Sequence, residues 1–430
     1  MKPDKILGIV IILLLALHLS GFGQDDAKTK SITLTAKEVS LGKPHPGYYG
    51  ASLVVSPDGK RVAYIAGDGN KQMVVVDGQE GKKYGDIKRG GIGADTLTFS
   101  PDSTRVAYAA QKGKKWMVVV DGQECTEYDK VGFPVFSPDS KHVAYQAYKD
   151  KKWMVVVDGQ EGTEYDGIGV GSPIFSSDSK HVAYVAQEGK KTMVVVDGQA
   201  RTDYFPFSAP LVFSPDSKHV AYSAVASNLN ILVVVDGQVR GADYKSINFP
   251  IIFSPDSKRV AYGAQKGKKW LIIIDGQEGT EYDGISAPIF SSDSKHVAYA
   301  ARKGKKWMVV VDGQECTEYD KVGFPIFSSD SKHVAYGAQK GKKWVVVVDG
   351  QECREYDGMY DPIFSPDSKR VAFCARKGKK WEVVVDGQEV GKYGEIASKL
   401  VFDSSDSLHT LVYSGSVPEF FRVEIKIEEK

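Results

Sequence analysis

The sequence of 430 residues is poor in cysteine and carries almost no net charge, and both shortages exclude classes of protein. Its four cysteines are too few for the disulfide framework of a cystine-rich secreted fold. Lys and Arg number 56 against 55 Asp and Glu, and the resulting charge of +1 excludes a globally basic nucleic-acid-binding protein. With 42% hydrophobic and 26% charged residues, the chain is neither intrinsically disordered nor a polytopic membrane protein.

Local signatures of catalysis and metal binding are also missing. The sequence has no Gly-x-Ser-x-Gly nucleophile elbow, no His-Glu-x-x-His zinc motif and no glycine-rich phosphate loop after a strand. We therefore expect no cofactor and no bound metal. Catalytic residues gathered from many loops would leave no local motif, so catalysis stays open as an alternative.

The first 23 residues have the three-part layout of a secretory signal peptide. Two lysines flank a short polar start, an apolar run follows from Ile6 to Leu19, and small residues stand at a signal-peptidase pattern in 20–23. The apolar run is shorter than the ~20 residues of a membrane span, which favours cleavage over a membrane anchor. We predict a signal peptide at 1–23, a flexible segment at 24–30, and an exported mature chain, periplasmic or extracellular, without a membrane span.

One unit recurs through the rest of the chain. The string Phe-Ser-Pro-Asp-Ser or a near variant appears ten times, mostly at intervals of 37 to 40 residues, and Asp-Gly-Gln appears nine times between these strings. A fixed period of this length indicates a repeat architecture. The first serines of the strings are Ser56, Ser100, Ser137, Ser176, Ser214, Ser254, Ser291, Ser328, Ser365 and Ser404.

Each unit reads as four short strands. In one of them, Pro325–Ser328 is a first strand and His333–Tyr336 a second, with Ser-Asp-Ser turn chemistry between them. Trp344–Val348 is apolar at every position, as expected of a third strand that is covered on both faces. Asp349-Gly350 is a strong hairpin signal, and Glu355–Asp357 is predicted as a polar fourth strand.

Four strands per unit, with the third buried and the fourth polar, describe the blade of a β-propeller. A solenoid is the competing architecture, but it usually has a shorter period, and helical repeats fail because no unit has a 3.6-residue apolar period. We predict an all-β fold, a β-propeller of four-stranded antiparallel blades over 31–430 with about ten repeats in one closed ring. Two five-bladed rings are the alternative.

The two ends of the repeat region at 31–430 together supply the strands of one complete blade. The last unit offers only three strands, and a strand without a blade precedes the first unit at 31–39. Placing 31–39 as the closing strand of the last blade removes an exposed sheet edge. We predict this pairing.

The Ser-Pro-Asp-Ser/Gly-Lys-x-Val-Ala-Tyr stretch, followed by an apolar strand and Asp-Gly, resembles the WD40-like β-propeller repeat of TolB-type proteins. The resemblance covers essentially the whole mature chain and implies the propeller fold. It does not include that family's N-terminal α/β domain, because only residues 24–50 separate the predicted cleavage site from the first repeat. The family's own partners are therefore not implied for this chain.

Histidines and tryptophans at fixed repeat positions are interpreted as structural. Arginine holds the histidine position in other units, so a hydrogen-bond donor beside an aspartate fits better than a metal ligand. The tryptophans begin third strands and are interpreted as packing between blades, with stacking on a sugar or a base as the alternative. These residues are His142, His181, His219, His296, His333, Trp116, Trp153, Trp270, Trp307, Trp344 and Trp381.

Two groups of residues form the candidate binding surface. Six loops between second and third strands carry three lysines each, and we expect these loops to share a face with variable aromatic connections near the channel mouth. The opposite face is expected to be acidic, with the aspartates of both turn types and glutamates such as Glu124 and Glu315. The candidate residues are Lys268, Lys269, Lys305, Lys306, Lys342, Lys343, Lys379, Lys380, Phe133, Phe205, Phe207, Phe249, Phe324 and Tyr360.

These features favour a non-catalytic binding or scaffold protein. We expect its partner to be a protein or an anionic polymer of the cell envelope, bound on the lysine-rich face, and we expect no sequence-specific nucleic-acid binding. The alternative is a lyase or hydrolase at the channel mouth that acts on an acidic glycan.

Overall fold

The computed structural model describes residues 32–49, 52–87, 97–169, 171, 173–201, 206, 211–226, 228–414 and 419–429. The predicted signal peptide and flexible segment lie outside these residues. The described residues form ten antiparallel sheets of four or five strands that resemble propeller blades, so the all-β prediction is confirmed. Within these ranges, no helix is long and apolar enough to cross a membrane.

We number the sheets from first to tenth along the chain, and the second and third strands form the centre of each. The second strands are Val62–Asp68, Val106–Lys112, Val143–Lys149, Val182–Glu188, Val220–Val225, Val260–Lys266, Val297–Lys303, Val334–Lys340 and Val371–Lys377. The third strands are Lys71–Val76, Lys115–Val120, Lys152–Val157, Lys191–Val196, Ile231–Val235, Lys269–Ile274, Lys306–Val311, Lys343–Val348 and Lys380–Val385.

The outer positions of each sheet hold shorter strands. The first strands, several of them in two pieces, are Val54–Val55, Asp86–Ile87 with Thr98–Phe99, Lys130–Val131 with Val135–Phe136, Gly167–Ile168 with Ile174–Phe175, Val212–Phe213, Ser246–Phe253, Gly284–Ile285 with Ile289–Phe290, Lys321–Val322 with Ile326–Phe327, and Gly358–Met359 with Ile363–Phe364. The fourth strands are Gln79–Glu80, Gln123–Glu124, Gln160–Glu161, Gln199–Arg201, Gln238–Val239, Gln277–Glu278, Gln314–Glu315, Gln351–Glu352 and Gln388–Tyr393. The tenth sheet contains Ile32–Ser40, Glu395–Ile396, Val401–Ser404, Ser407–Ser414 and Glu419–Glu429.

The third strand is buried on both faces, as its unbroken apolar sequence predicts. In the seventh sheet Met308 packs in a cluster with Ile272 of the sixth sheet, whereas the next residue, Val309, packs in a cluster with Tyr336 of the eighth. Successive side chains of a strand point to opposite faces, so one strand contributes to two interiors. The hydrophobic core is therefore divided among the interfaces between neighbouring sheets.

Some strands begin or end at other residues than the sequence predicts. In the eighth sheet the second strand continues to Lys340 and the fourth begins at Gln351, while Tyr356 makes only an isolated bridge with Trp344. The first strand is broken before Ile326. Pro325 lies in this break, and a proline has no N–H to donate to the ladder.

The turn between the first and second strands connects each sheet to the next. In the third sheet the buried Ser137 hydroxyl donates to Asp139 Oδ1 at 2.6 Å and accepts the His142 N–H at 3.0 Å. The Asp139 N–H donates to Ser179 Oγ of the fourth sheet at 2.9 Å. The same bond between sheets recurs in the pairs Asp58–Ser103, Asp102–Ser140, Asp178–Ser217, Asp216–Ser257, Asp256–Ser294, Asp293–Ser331 and Asp330–Ser368.

The Asp-Gly hairpin turns carry a second set of contacts. Asp158 and Gly159 both have positive φ, as a type I′ turn requires. The Asp158 carboxylate accepts the Val143 N–H at 2.9 Å and lies 2.6 Å from His142 Nδ1. The prediction of a structural histidine beside an aspartate is confirmed. The His142 ring also stacks on Phe175 of the next sheet. Arginine can replace histidine because it makes the same two contacts: Arg105 binds Asp121 and lies over Phe136 of the next sheet.

The tenth sheet contains strands from both ends of the described chain. Ile32–Ser40 pairs antiparallel with Glu419–Glu429, with Ile32 opposite Glu429 and Ser40 opposite Phe421. Ile32 is buried and joins a cluster with Val423 and residues of the ninth sheet, against which Leu34 also packs.

Removal of this N-terminal strand should destabilise the protein. A chain that begins at Gly42 exposes the edge of Glu419–Glu429 and loses the buried Ile32, which we expect to cost about 2–4 kcal/mol of unfolding free energy. Thermal unfolding at one scan rate measures the effect, with a chain that begins at Lys30 as the control. Equal melting temperatures for the two chains would show that the strand contributes nothing to the fold.

The turn aspartates should make stability depend on acid pH. The Ser100 hydroxyl, together with the Thr104 N–H, lowers the pKa of Asp102 to about 2, and the Ser291 hydroxyl does the same for Asp293. A carboxyl with a lower pKa in the folded state stabilises the fold above its unfolded pKa of about 3.9, and this contribution is lost as the pH falls towards about 2.

We therefore expect the unfolding free energy to fall from about pH 4 to about pH 2, and to fall less steeply in the double variant Asp102→Asn, Asp293→Asn. Urea unfolding at several pH values measures both slopes. Glu318→Gln, Glu355→Gln removes the same charge away from these turns. A turn variant as steep as the wild type would contradict the assignment.

Candidate functional site

The lysine-rich loops lie at the ends of the second strands that are remote from the Ser-Asp turns. In the seventh sheet Val297–Lys303 runs from the turn at Ser294 to the loop at Gly304. Because all sheets repeat this direction, the loops lie on one side of the fold. We call this side the lysine-loop face, formed by 112–115, 149–152, 266–269, 303–306, 340–343 and 377–380.

Two of the three lysines in most of these loops are ion-paired. Lys303 Nζ lies 2.6 Å from Glu315, and Lys306 Nζ lies 2.8 Å from Asp320. These lysines hold the pKa of Glu315 and of Asp320 below their usual ranges. The equivalent pairs are Lys112–Glu124, Lys115–Asp129, Lys149–Glu161, Lys152–Asp166, Lys266–Glu278, Lys269–Asp283, Lys340–Glu352, Lys343–Asp357 and Lys377–Glu389.

The expected placement of the glutamates on the opposite face is therefore wrong, whereas turn aspartates such as Asp139 and Asp158 do lie at the ends of the strands remote from the lysine loops. Glu124 and Glu315 pair with lysines of the lysine-loop face instead of standing opposite to it. The physical reason is the Asp-Gly hairpin, which turns the chain back so that the fourth strand runs towards the lysine loops. The tyrosine of the preceding sheet also binds this carboxylate, since Tyr282 donates to Glu315 at 3.0 Å.

The middle lysine of each loop has no ion-pair partner among the described residues. Lys268, Lys305, Lys342 and Lys379 are exposed, and no acidic side chain among the described residues lies within ion-pair distance of them. Lys380 is also exposed and unpaired among the described residues. Gly394 occupies the position at which Asp320 pairs with Lys306 in the seventh and eighth repeats.

The aspartates of these pairs also join neighbouring loops. Asp283 binds Lys269 of the sixth sheet through Oδ1 at 2.6 Å and accepts the Gly304 N–H of the seventh sheet through Oδ2 at 2.7 Å. Asp320 and Asp357 make the same contact with the next glycine at 2.7 Å. The loops are thus held in place by contacts between sheets.

The six tryptophans lie directly after the lysine loops and are half-buried. Trp116 and Trp381 pack partly against interior clusters, in agreement with the packing interpretation. Each indole nevertheless keeps exposed surface. The Arg302 guanidinium lies 5.7 Å from the Trp307 ring, and Tyr360 stacks on Trp381 at 4.7 Å.

A cavity of about 430 Å³ opens between the sixth and seventh sheets on this face. Its lining combines two indoles with an arginine, an aspartate and an amide. The lining residues are Asn248, Trp270, Asp283, Gly284, Ile285, Arg302 and Trp307.

Arg302 is fixed in this cavity by the main chain. Its Nη2 donates to the Asp283 carbonyl at 3.0 Å and its Nη1 to the Gly304 carbonyl at 3.3 Å. Gly284 pairs with Arg302 across the strands, and a Cβ there would lie 3.2 Å from Arg302 Nε. The missing side chain at Gly284 therefore gives the guanidinium its place beside the indole.

The predicted aromatic residues are only partly on this face. Phe133 and Phe324 are exposed, but they lie in the breaks of first strands and not in the connections between sheets, because the proline that follows each interrupts the ladder. Tyr360 joins the tryptophans. Phe205, Phe207 and the side chain of Phe249 lie outside the described residues.

The sequence pointed to Lys269, which binds the lining residue Asp283, but Arg302 and Asp283 themselves were missed as site residues. A signal was available, since Arg302 occupies the position of Gln265 and Gln339 in the neighbouring repeats and stands opposite a glycine. In the part of the chain that the structure describes, no cluster of His, Cys, Asp and Glu could hold a metal ion.

No protein-family model matches this chain, and no curated protein matches it. Among solved structures, a eukaryotic initiation factor is 13% identical with a TM-score of 0.45, over 86% of this chain and 96% of that chain. TolB from Acinetobacter baumannii is 15% identical with a TM-score of 0.25, over 70% and 77%. The β-propeller domain of the Trilobed protease from Pyrococcus furiosus is 13% identical with a TM-score of 0.31, over 62% and 95%. At these identities the similarity to β-propeller domains concerns the fold alone.

Proposed function

We propose that this chain is an exported, non-catalytic binding protein that engages an anionic polymer through its lysine-loop face. The observation that carries the proposal is a repeated pair of side chains. Four consecutive sheets present an exposed lysine without an acidic partner among the described residues, two residues before a half-buried tryptophan. These pairs are Lys268–Trp270, Lys305–Trp307, Lys342–Trp344 and Lys379–Trp381.

A repeated cation fits a ligand with repeated negative charges. Exposed lysines are screened beyond about 8 Å at physiological ionic strength, so each binds a single small anion weakly. A polymer that contacts several of them releases several counterions, and its affinity then falls steeply with salt. A protein partner needs no such repeat, and for this reason we favour the polymer.

The proposal includes a single closed ring of ten blades. Its support is the contact between the first and tenth sheets, where Lys60 Nζ lies 3.5 Å from Asp403 and Tyr64 packs in a cluster with Phe420. We also propose that the repeats are of the TolB type, on the strength of their Ser-Pro-Asp-Ser turn and Asp-Gly hairpin.

Removal of the four middle lysines should weaken polymer binding. We expect the quadruple variant Lys268→Gln, Lys305→Gln, Lys342→Gln, Lys379→Gln to bind dextran sulfate and polygalacturonate at least about tenfold more weakly at low salt. The slope of log affinity against log salt should also become shallower. Fluorescence anisotropy with labelled polymers, across a series of salt concentrations, measures both quantities.

The matched control changes four lysines of the Ser-Lys turns in the same sheets, at the far ends of the second strands. These substitutions are Lys258→Gln, Lys295→Gln, Lys332→Gln and Lys369→Gln. Equal losses in the two variants would mean that binding follows total charge and would contradict a specific face. If the chain binds an envelope protein but neither polymer, a protein scaffold becomes the favoured function. If the polymer becomes shorter during the assay, the favoured function is a lyase or hydrolase.

A further inference from the structure

We propose that the cavity between the sixth and seventh sheets binds an acidic pyranose, a sugar ring that carries a carboxylate. This inference rests on the proposed function, because it names the chemical unit of the polymer that the lysine-loop face would hold. It is argued from the size of the cavity, its indoles, its guanidinium and a comparison with the ninth sheet.

The size and walls of the cavity suit a sugar ring. A volume of about 430 Å³ lies within the range of small-molecule sites in proteins. Trp270 and Trp307 line it from neighbouring third strands. An indole offers a broad apolar surface, and the C–H face of a pyranose is an apolar surface of similar width.

The charge of the cavity selects an acid. Arg302 has five N–H groups, and its bonds to two main-chain carbonyls leave three without a partner among the described residues. A planar guanidinium held in place matches a carboxylate well. The one acid of the lining, Asp283, is already bound to Lys269 and to a main-chain N–H. Lys268 and Lys305 precede the two tryptophans by two residues and add positive charge to the loops from which these third strands begin.

Asn248 supplies a group for the hydroxyls of such a ring. Its Nδ2 donates to the Ile285 carbonyl at 3.4 Å, and this orientation leaves the side-chain oxygen as an acceptor. One wall of the cavity is therefore polar, while the indoles are apolar. A ligand with a flat apolar face and a polar edge satisfies both.

The ninth sheet shows the same arrangement with its indole covered. Gly358, Arg376 and Trp381 repeat Gly284, Arg302 and Trp307, and Arg376 lies 5.8 Å from the Trp381 ring. Tyr360 holds the position of Ser286, and its ring stacks on Trp381 at 4.7 Å. No ring of the described residues stacks on Trp307. The chain thus fills one of two equivalent surfaces with its own aromatic side chain and leaves the other open.

The first test measures binding of single sugars. Calorimetry and saturation-transfer NMR with glucuronate, galacturonate and N-acetylneuraminate are compared with methyl galactoside, which has no carboxylate. We expect at least one acid to bind and the neutral sugar to bind at least about tenfold more weakly. Arg302→Gln, which installs the residue of the neighbouring repeats, should reduce binding of the acid at least about tenfold, whereas Arg376→Gln should leave it unchanged.

The second test closes the cavity without removing its polar groups. Ser286→Tyr places on Trp307 the ring that the ninth sheet carries, and should abolish sugar binding. Ser286 also accepts the Ala300 N–H at 2.9 Å, so Ser286→Ala is the control that loses the hydroxyl without adding a ring. Circular dichroism establishes that each variant is folded.

The outcomes separate this inference from the proposed function. If none of the three acids binds, or if Arg302→Gln and Ser286→Tyr both bind as the wild type does, the sugar site is refuted. Retained polymer binding that still depends on the four middle lysines would then leave the proposed function standing. Loss of that lysine dependence, with sugar binding intact, would refute the polymer and leave the cavity as a site for a small ligand.

Discussion

The hydrogen bond from a turn aspartate to a serine of the next sheet sets the placement of neighbouring sheets. Asp293 donates its N–H to Ser331 Oγ at 3.0 Å, and the serine that begins the same turn, Ser291, is fully buried. A buried polar group that loses its partner costs about 1–3 kcal/mol, so each turn strongly favours one arrangement. Since the arrangement repeats, groups at the far ends of the strands also repeat, and Trp270 and Trp307 come to line one cavity.

Much of this architecture could be predicted because it is encoded locally. The apolar third strand, the Asp-Gly hairpin and the exchange of histidine for arginine each depend on a few adjacent residues. The position of Glu315 could not be predicted in the same way. It depends on side-chain contacts with Lys303 of the same sheet and with Tyr282 of the preceding sheet. Arg302 was missed for a related reason, because its environment is made by main-chain carbonyls and by an indole across the strand pair.

The ion pairs change the meaning of the lysine-rich loops. Composition alone suggests a rim with three cations in each loop, but two of them are bound in most loops and help to hold neighbouring loops together through aspartates such as Asp283. Exposed ion pairs contribute little stability one by one. Their repetition here nevertheless restricts the loops, and in five of the six loops it leaves a single lysine without an acidic partner among the described residues.

The pairing of Ile32–Ser40 with Glu419–Glu429 has a consequence for the order of folding. Every other sheet is built from strands close together in sequence, so it can form as soon as its own repeat is available. The tenth sheet joins segments separated by almost the whole chain, and such distant contacts form slowly. During synthesis the ladder groups of Ile32–Ser40 therefore have no strand partner in this sheet until Glu419–Glu429 has been made. Of the ten described sheets, the tenth is therefore the one whose completion depends on strands made furthest apart in time.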